Sequence, residues 1–318
     1  MDTAAGIILK AQSGFFTVLT DSGETVVAHL RGRLKQKRQS ADLAAIGDRV
    51  TVTVQADGRG MIEAVEPRRR VLARRAPTGY GRGSQRAGDQ AKAQVIIANP
   101  DQAVFVFACA EPAPRLGALD RFLVMAEAAG LPALICANKA DLVTPAEAEA
   151  LFAIYPPLGY PVVSTSARTG RGVDELRERL RGRLSVLAGP SGVGKSSLLN
   201  ALEPGLGLRA RTVSHATQKG RHTTVHPELW PLAVGGFVAD TPGLRALALW
   251  DIEAEELDGY FVEIRPLVER CAFNNCTHLS EPGCAIRAAV AAGEIAGSRY
   301  QSYCRMRVAE DNADISHE

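Results

Sequence analysis

The chain has no apolar run approaching the roughly 18 residues that a membrane-crossing helix needs, which argues against a helical membrane protein. Its N-terminus, MDTAAGIILK, lacks the basic stretch and apolar core of a secretory signal, so a cytoplasmic protein with no membrane partner is expected. Cysteine is sparse: six in 318 residues make no disulfide framework. Aromatic residues are only 5% of the chain, and Phe15 and Phe16 alone represent them in residues 1–75, which weakens any case for base stacking there. Net charge is a mere +2, but residues 1–93 hold 16 Lys and Arg against 9 Asp and Glu, a balance of +7 that leaves −5 for the remainder. What is present in quantity is hydrophobic sequence, 46%, enough to pack the two or three domains that this length allows.

Residues 4–66 carry five short β-like runs, AGIILKA, GFFTVLT, GETVVAHL, DRVTVTVQ and GMIEAVE, separated by Gly, Asp and Ser turn signals. Such a series suits a small closed barrel of the oligonucleotide-binding type. The connection RGRLKQKRQSAD between the third and fourth runs holds Arg31, Arg33, Lys35, Lys37 and Arg38, and Arg68, Arg69, Arg70, Arg74 and Arg75 follow. Two cationic clusters on such a barrel point to a phosphate-backbone surface for folded RNA, recognised by shape more than by base. Residues 76–93 are rich in Gly and polar residues and read as a mobile linker or loop.

From QVIIAN onward, apolar strands alternate with helices, the pattern of a parallel sheet covered on both faces. Helices are expected near 117–129, 145–154 and 172–180, and from Gly194. The run LSVLAG leads into Gly189, Pro190, Ser191, Gly192, Val193, Gly194, Lys195, Ser196 and Ser197, which fits G-x-x-x-x-G-K-S between a strand and a helix. Its glycines let backbone N–H groups converge on the α- and β-phosphates, Lys195 reaches the β- and γ-phosphates, and Ser196 ligates Mg²⁺. Asn138, Lys139 and Asp141 of NKAD follow the strand PALICA. A carboxylate at Asp141 accepts from guanine N1–H and N2–H₂, a donor pair that adenine lacks, and Lys139 can lay its stem along the base. Ser166 and Ala167, after the next strand, can offer a backbone N–H to guanine O6. Asp240 and Gly243 of DTPG would hold Mg²⁺ through water and meet the γ-phosphate, and Thr223 or Thr224 in KGRHTT would complete the Mg²⁺ shell.

Ordinary GTPases place the phosphate loop first. Here the order is base reader, second base loop, phosphate loop, switch threonine, DTPG, which resembles the circularly permuted GTPases. A doubly wound sheet tolerates such a cut when the old termini can be joined and the new ones open at the surface. The last block, 249–318, opens on an expected amphipathic helix with Leu257, Tyr260, Phe261, Ile264, Leu267 and Val268 on one face. It then presents Cys271, Cys276, His278 and Cys284 in a C-x4-C-x-H-x5-C spacing, which satisfies one closed structural Zn²⁺ site. Cys109 and Cys136 lie in apolar strands as core residues, and Cys304 reads as a helix residue without chemistry. The metal spacing is not that of a groove-reading DNA-binding finger.

The segments GPSGVGKSSLLN, KGRHTT, DTPG and CAFNNCTHLSEPGC, with the basic barrel, resemble the ribosome small subunit-dependent GTPases, the RsgA or YjeQ family. That resemblance covers the whole chain. It implies an oligonucleotide-binding barrel over 1–75, a circularly permuted α/β P-loop GTPase domain over 76–248 and a mostly helical zinc-binding domain over 249–318. It further implies a monomer that takes GTP and GDP, binds the small ribosomal subunit and its rRNA, and hydrolyses GTP when docked there. Leu244 stands where Ras-like enzymes carry a water-orienting glutamine, so slow intrinsic turnover is expected, and His222 is the nearest polar substitute. The resemblance also points to His222 as the hydrolytic residue. Gly192 replaces the asparagine of potassium-activated GTPases, so potassium dependence is not implied. A second reading is a nucleotide-gated RNA-binding module in which hydrolysis is incidental.

Overall fold

Alternating apolar and polar residues build the first group of strands, β1 (Asp2–Gln12), β2 (Phe15–Thr20), β3 (Thr25–Leu30), β4 (Arg49–Val54) and β5 (Gly60–Val65). The computed structural model describes residues 2–32, 43–55, 58–75, 93–206, 228–240 and 252–315. Strand pairs β1–β2, β2–β3, β4–β5 and β1–β4 are antiparallel and β3–β5 is parallel, so every strand has two neighbours and the sheet closes. The inward positions Ile8, Val18, Val26, Val50, Val52 and Ile62 are buried, each contributing about 1.5–3 kcal/mol of transfer free energy. This is the expected five-stranded barrel. The cations Arg33, Lys35, Lys37 and Arg38 of its long loop lie outside the described residues.

Several arginines that the sequence offers as one basic cluster are used differently. Arg68 donates through Nε and Nη2 to the two oxygens of Asp48, at 2.8 and 2.7 Å, and Asp48 is fully buried. The same carboxylate accepts from the Ala45 amide at 2.7 Å, so Arg68 closes the turn that opens β4. Arg31 pairs with Glu63, Arg49 makes two hydrogen bonds of 2.8 Å to Asp21, and Arg69 and Arg70 remain exposed. QVIIAN also departs from expectation. It forms β7 (Ala93–Ala98), which pairs antiparallel with β6 (Val71–Arg75) in a separate two-stranded sheet instead of starting the parallel one. Asn99, at φ 55°, and Pro100 end the strand there, and the Asn99 amide donates to the Arg70 carbonyl at 2.8 Å.

The chain divides into two compact units. Met1–Gln102, Arg177–Ala188 and Arg211–Ala248 form the first. In it, β11 (Leu184–Ala188) runs parallel to β13 (Phe237–Asp240), β13 pairs antiparallel with β12 (Glu228–Pro231), and β12 meets β1 with Lys10 opposite Glu228. Ala103–Leu176, Gly189–Ala210 and Leu249–Glu318 form the second unit. There β8 (Gln102–Ala108), β9 (Ala133–Asn138) and β10 (Val162–Ser164) are parallel neighbours, connected through α1 (Leu116–Ala128) and α2 (Pro145–Phe152). Every residue of β8 is buried, as its unbroken apolar run requires. A capping box of Thr144 and Glu147 starts α2. The remaining helices are α3 (Val173–Leu180), α4 (Lys195–Leu202), α5 (Ala285–Ala291) and α6 (Gly297–Ile315). Among the described residues, no helix is long and apolar enough to cross a membrane.

The amphipathic helix expected after residue 249 is replaced by two 3₁₀ segments, Ala254–Tyr260 and Arg265–Arg270, with Phe261 extended between them. Gly259 weakens the first segment and Pro266, which has no N–H to give, starts the second. The apolar face survives the break: Leu257, Phe261 and Ile264 pack with Ile286, Tyr303 and Met306 and against Val124 of α1.

One buried charge group ties this block to α1. Arg299 of α6 is 1% exposed, with Nη1 2.7 Å from Asp120 Oδ1 and Nε 2.6 Å from Glu263 Oε1, and its guanidinium lies 4.6 Å from the Phe261 ring centre. Tyr155 also donates to Asp120, at 2.9 Å, and burial pushes its phenol pKa upward. Removing one member of such a group leaves uncompensated buried charge. Arg299→Met is therefore expected to cost about 3–5 kcal/mol in denaturant unfolding followed by tyrosine near-ultraviolet circular dichroism, with much of the loss recovered when Asp120 and Glu263 also become apolar. A single-variant loss below about 1 kcal/mol would remove this group from the list of fold determinants.

Candidate functional site

The turn from β11 into α4 is shaped by close backbone approach. A Cβ on Gly189, at φ +152°, would stand 2.1 Å from the Val106 carbonyl oxygen, and one on Gly194, at φ +90°, would stand 2.6 Å from Asn138 Nδ2. Only glycine lets the loop lie against β8 and the end of β9 at once. The loop thus presents the N-terminus of α4, a helix end suited to an anion. Lys195 Nζ donates to the carbonyls of Gly189 and Pro190, at 2.7 and 2.8 Å, which holds the ammonium over the loop mouth. Ser196 is half-buried in the first turn of α4, while Ser191 and Ser197 are exposed.

Asn138 spends its amide on the protein. Its Nδ2 donates to the Val193 carbonyl at 2.8 Å, and its Oδ1 accepts from Thr165 Oγ1 at 3.1 Å and from the Ala167 amide at 3.4 Å. This side chain, 1% exposed, joins the phosphate loop to both base loops. Lys139 is left-handed, at φ 59°, and its ammonium reaches the Glu111 carbonyl. Asp141 follows in a short 3₁₀ turn, Ala140–Leu142. Its Oδ1 accepts from Ser166 Oγ at 2.6 Å and its Oδ2 lies 2.7 Å from Arg168 Nη2. The Ser166 hydroxyl first, and the Arg168 charge with it, hold this carboxyl below the usual carboxylate range, so it is an ionised acceptor at neutral pH. Asn138, Lys139, Asp141, Leu142, Ala167, Arg168, Gly194 and Ser197 line a cavity of about 200 Å³.

Two details differ from the sequence reading. The Ser166 N–H is already donated to the Arg171 carbonyl, at 2.9 Å, which leaves the Ala167 N–H, on its long contact, as the one of the pair suited to guanine O6. Arg168 was not singled out, although it directly follows Ser166 and Ala167 in SARTG. Asp240 ends β13 level with Leu187 of β11, two residues before Gly189. His222, Thr223, Thr224 and Gly243 lie outside the described residues.

The second cluster brings Cys271, Cys276, His278 and Cys284 together, with their ligand atoms all within 4.8 Å of one another. His278 Nδ1 stands 3.5 Å from Sγ of both Cys271 and Cys284. A tetrahedral ion with metal–sulfur distances of ~2.3 Å and a metal–nitrogen distance of ~2.0 Å has S···N edges of about 3.5 Å, so the four donors fit zinc. The other ring nitrogen, Nε2, is 3.2 Å from Asp258 Oδ2 and His278 is fully buried, which fixes the tautomer that turns Nδ1 towards the thiols. Tyr300 and Tyr303 donate to the carbonyls of His278 and Thr277 at 2.6 and 2.9 Å. Glu281 accepts from the Thr277 hydroxyl and the amides of Thr277 and Ser280, which hold its carboxyl down to about 2. Cys109 and Cys136 are buried core residues, as read from their strands, and Cys304 lies in α6.

A phosphate loop fastened to a guanine-type reader that precedes it in the chain defines a circularly permuted P-loop GTPase. The comparisons agree: the RsgA N-terminal domain model matches residues 5–62 and the RsgA GTPase model matches residues 65–250. The chain belongs to the RsgA GTPase family. A relative from Gemmatimonas aurantiaca, the small ribosomal subunit biogenesis GTPase RsgA, is 48% identical over 96% of this chain and 97% of its own. One of the same name from Moorella thermoacetica is 43% identical over 94% of each chain. Among solved structures, YjeQ from Thermotoga maritima superposes with a TM-score of 0.77 at 36% identity, covering 97% of this chain and 99% of that one. YloQ, described as a circularly permuted GTPase, gives 0.74 at 32% identity, covering 98% and 96%.

Asp258 gives the metal cluster a direct test. Asp258→Asn is expected to lower metal affinity by roughly 10–100-fold in chelator competition on the full chain, while Co²⁺ loaded in place of zinc keeps the visible bands of a three-sulfur, one-nitrogen site. Unchanged affinity would reduce Asp258 to a surface carboxylate.

Proposed function

We propose that this GTPase acts in maturation of the small ribosomal subunit, binding rRNA through its basic barrel and turning over GTP when docked. The observation that carries the reading is the pocket in which Asn138 fastens the ionised Asp141 reader to the phosphate loop, in a chain matched end to end by relatives named for small-subunit biogenesis. Asp141 reads guanine, Lys139 flanks the base, Ala167 offers its N–H, and Gly189 to Ser197 hold the phosphates with Lys195 as counter-charge. Ser196, Asp240 and either Thr223 or Thr224 hold Mg²⁺, Gly243 meets the γ-phosphate, and His222 positions the water in place of the glutamine that Leu244 replaces. Mg²⁺ supplies neutralisation of developing phosphate charge. One zinc held by Cys271, Cys276, His278 and Cys284 acts as a structural crosslink with no position left for substrate. Arg33, Lys35, Lys37 and Arg38 contact rRNA phosphates, while Arg31, expected among them from the sequence, is taken by its ion pair to Glu63. The domains run 1–75, 76–248 and 249–318, and the protein works as a cytoplasmic monomer off the membrane.

GTP turnover measured with purified small subunits, large subunits and neither tests enzyme and partner together. Strong stimulation by small subunits alone is expected. His222→Ala should retain GTP binding and lose about 10²-fold of that stimulation, a loss of about 2.7 kcal/mol in transition-state stabilisation. Stimulated turnover within about threefold of wild type would eliminate His222. Equal turnover in all three mixtures would favour the nucleotide-gated binding module. Asp141→Asn should transfer preference from guanine to xanthine nucleotides, because an amide donor suits the xanthine O2 carbonyl. A variant that still prefers GTP and gains nothing for XTP sinks the assignment of Asp141 as reader.

A further inference from the structure

Asp141 is already occupied by a group that resembles its ligand. A guanine edge offers a carboxylate two donors on one rigid plane, N1–H and N2–H₂. A guanidinium is the side-chain group that offers the same thing: planar, delocalised and carrying parallel N–H donors. Arg168 stands in that place, with Nη2 2.7 Å from Asp141 Oδ2. The two donors on the carboxylate are not equivalent. Ser166, whose hydroxyl meets Oδ1 at 2.6 Å, is fully buried, and its amide and carbonyl are fixed by Arg171 and Gly170, so it belongs to the wall. The Arg168 side chain is 73% exposed while the Asp141 side chain is 11% exposed, so the arginine is a movable group reaching in over a nearly enclosed acceptor. It also lines the cavity that Lys139, Leu142 and Ala167 bound.

We infer that Arg168 is an internal competitor for the base: its guanidinium holds Asp141 Oδ2, one of the two oxygens a guanine edge would use, and it must swing out to solvent before a guanine nucleotide can seat. The inference rests on Asp141 being the base reader. Its consequence is kinetic. Only the fraction of molecules with Arg168 swung out can take the base, so the apparent association rate and affinity both fall by that fraction, while the escape rate of a seated nucleotide is untouched. An exposed arginine paired with a mostly enclosed carboxylate is worth a two- to fivefold population bias by the usual scale of such pairs. The pair weakens as salt screens it. The phosphate loop plays no part in this bias, so it applies equally to GDP and GTP.

Stopped-flow binding of fluorescent GDP and GTP to the full-length protein provides the test. Arg168→Ala is expected to raise the association rate and the affinity by about three- to sixfold with an unchanged dissociation rate, and the ratio between variant and wild type should shrink towards one as salt rises to about 1 M. Arg168→Lys, which keeps the charge but not the planar donor pair, should fall between the two. Weaker binding in Arg168→Ala, or a change confined to dissociation, overturns the inference by making Arg168 a grip on the bound base. An unchanged association rate overturns it as well. Asp141→Asn separates the two layers. If that variant gains xanthine nucleotides and Arg168→Ala still leaves association unchanged, the competitor alone fails. If it gains none, the reader assignment itself fails.

Discussion

The amide of Asn138 is the constraint on which the nucleotide pocket depends. A P-loop needs a bend whose backbone N–H groups point inward, and a base reader needs a loop at the carboxyl end of a strand. Neither requirement fixes the distance between them. Asn138 does so, because one planar group donates to Val193 in the phosphate loop and accepts from Thr165 and Ala167 in the second base loop. Gly194 is glycine because that amide lies where its Cβ would be. The fixed separation matters because one flexible nucleotide must meet both loops at once, and a loose pocket would lose the orientation that discriminates guanine. Buried amides satisfied on both sides are worth more than their hydrogen bonds alone, since breaking either side leaves a desolvated polar group.

Permutation changes what lies next to what along the chain without changing this pocket. The strand that ends on Asp240 lies between β11 and β12, and β12 continues onto β1 of the barrel. Glu228 faces Asp240 on one side and Lys10 on the other, with Lys10 Nζ 3.5 Å from Glu228 Oε2. The carboxylate assigned to Mg²⁺ and a strand of the barrel assigned to rRNA are therefore linked through a single residue level of one sheet. In the second unit, the metal-cluster block is held on α1 by Arg299, Asp120 and Glu263.

Legibility in the sequence followed the range of the interaction. The phosphate loop, NKAD and the Cys/His spacing were readable because each packs its chemistry into adjacent residues whose geometry a turn or helix start dictates. The five barrel strands were readable from alternation alone. The failures were non-local. Nothing in VLARR announces β6, because its partner lies beyond some twenty residues of Gly-rich sequence. The apolar spacing of Leu257 to Val268 fits a 3₁₀ turn nearly as well as an α-turn over so short a span, and Gly259 and Pro266 decided the matter. Arg299 and Asp120 are far apart in the chain, yet a signal existed: Asp120 falls on the apolar stripe of LGALDRFLVMAEA with Leu119, Leu123 and Val124, where a carboxylate demands a partner.

The basic N-terminal region shows how structure redistributes a charge that sequence can only count. Arg31, Arg49 and Arg68 are engaged by Glu63, Asp21 and Asp48, all within residues 1–93. Taking those three pairs away from sixteen cations and nine anions leaves thirteen and six, so the excess of +7 is untouched while the residues that carry it change. Arginines on the barrel wall serve the fold, where a buried carboxylate such as Asp48 makes them costly to withdraw. The excess shifts to the sequence after β3, with four cations in Arg33 to Arg38 and no acid among them, and to exposed Arg70, whereas exposed Arg69 lies 3.5 Å from Asp101. A polyanion draws its affinity from cations that release counterions on contact, and a cation already committed to a carboxylate has little left to release. In the reading proposed above, the cations open to a polyanion are therefore those outside these pairs, and Arg68, bound to the buried Asp48, serves the fold of the barrel.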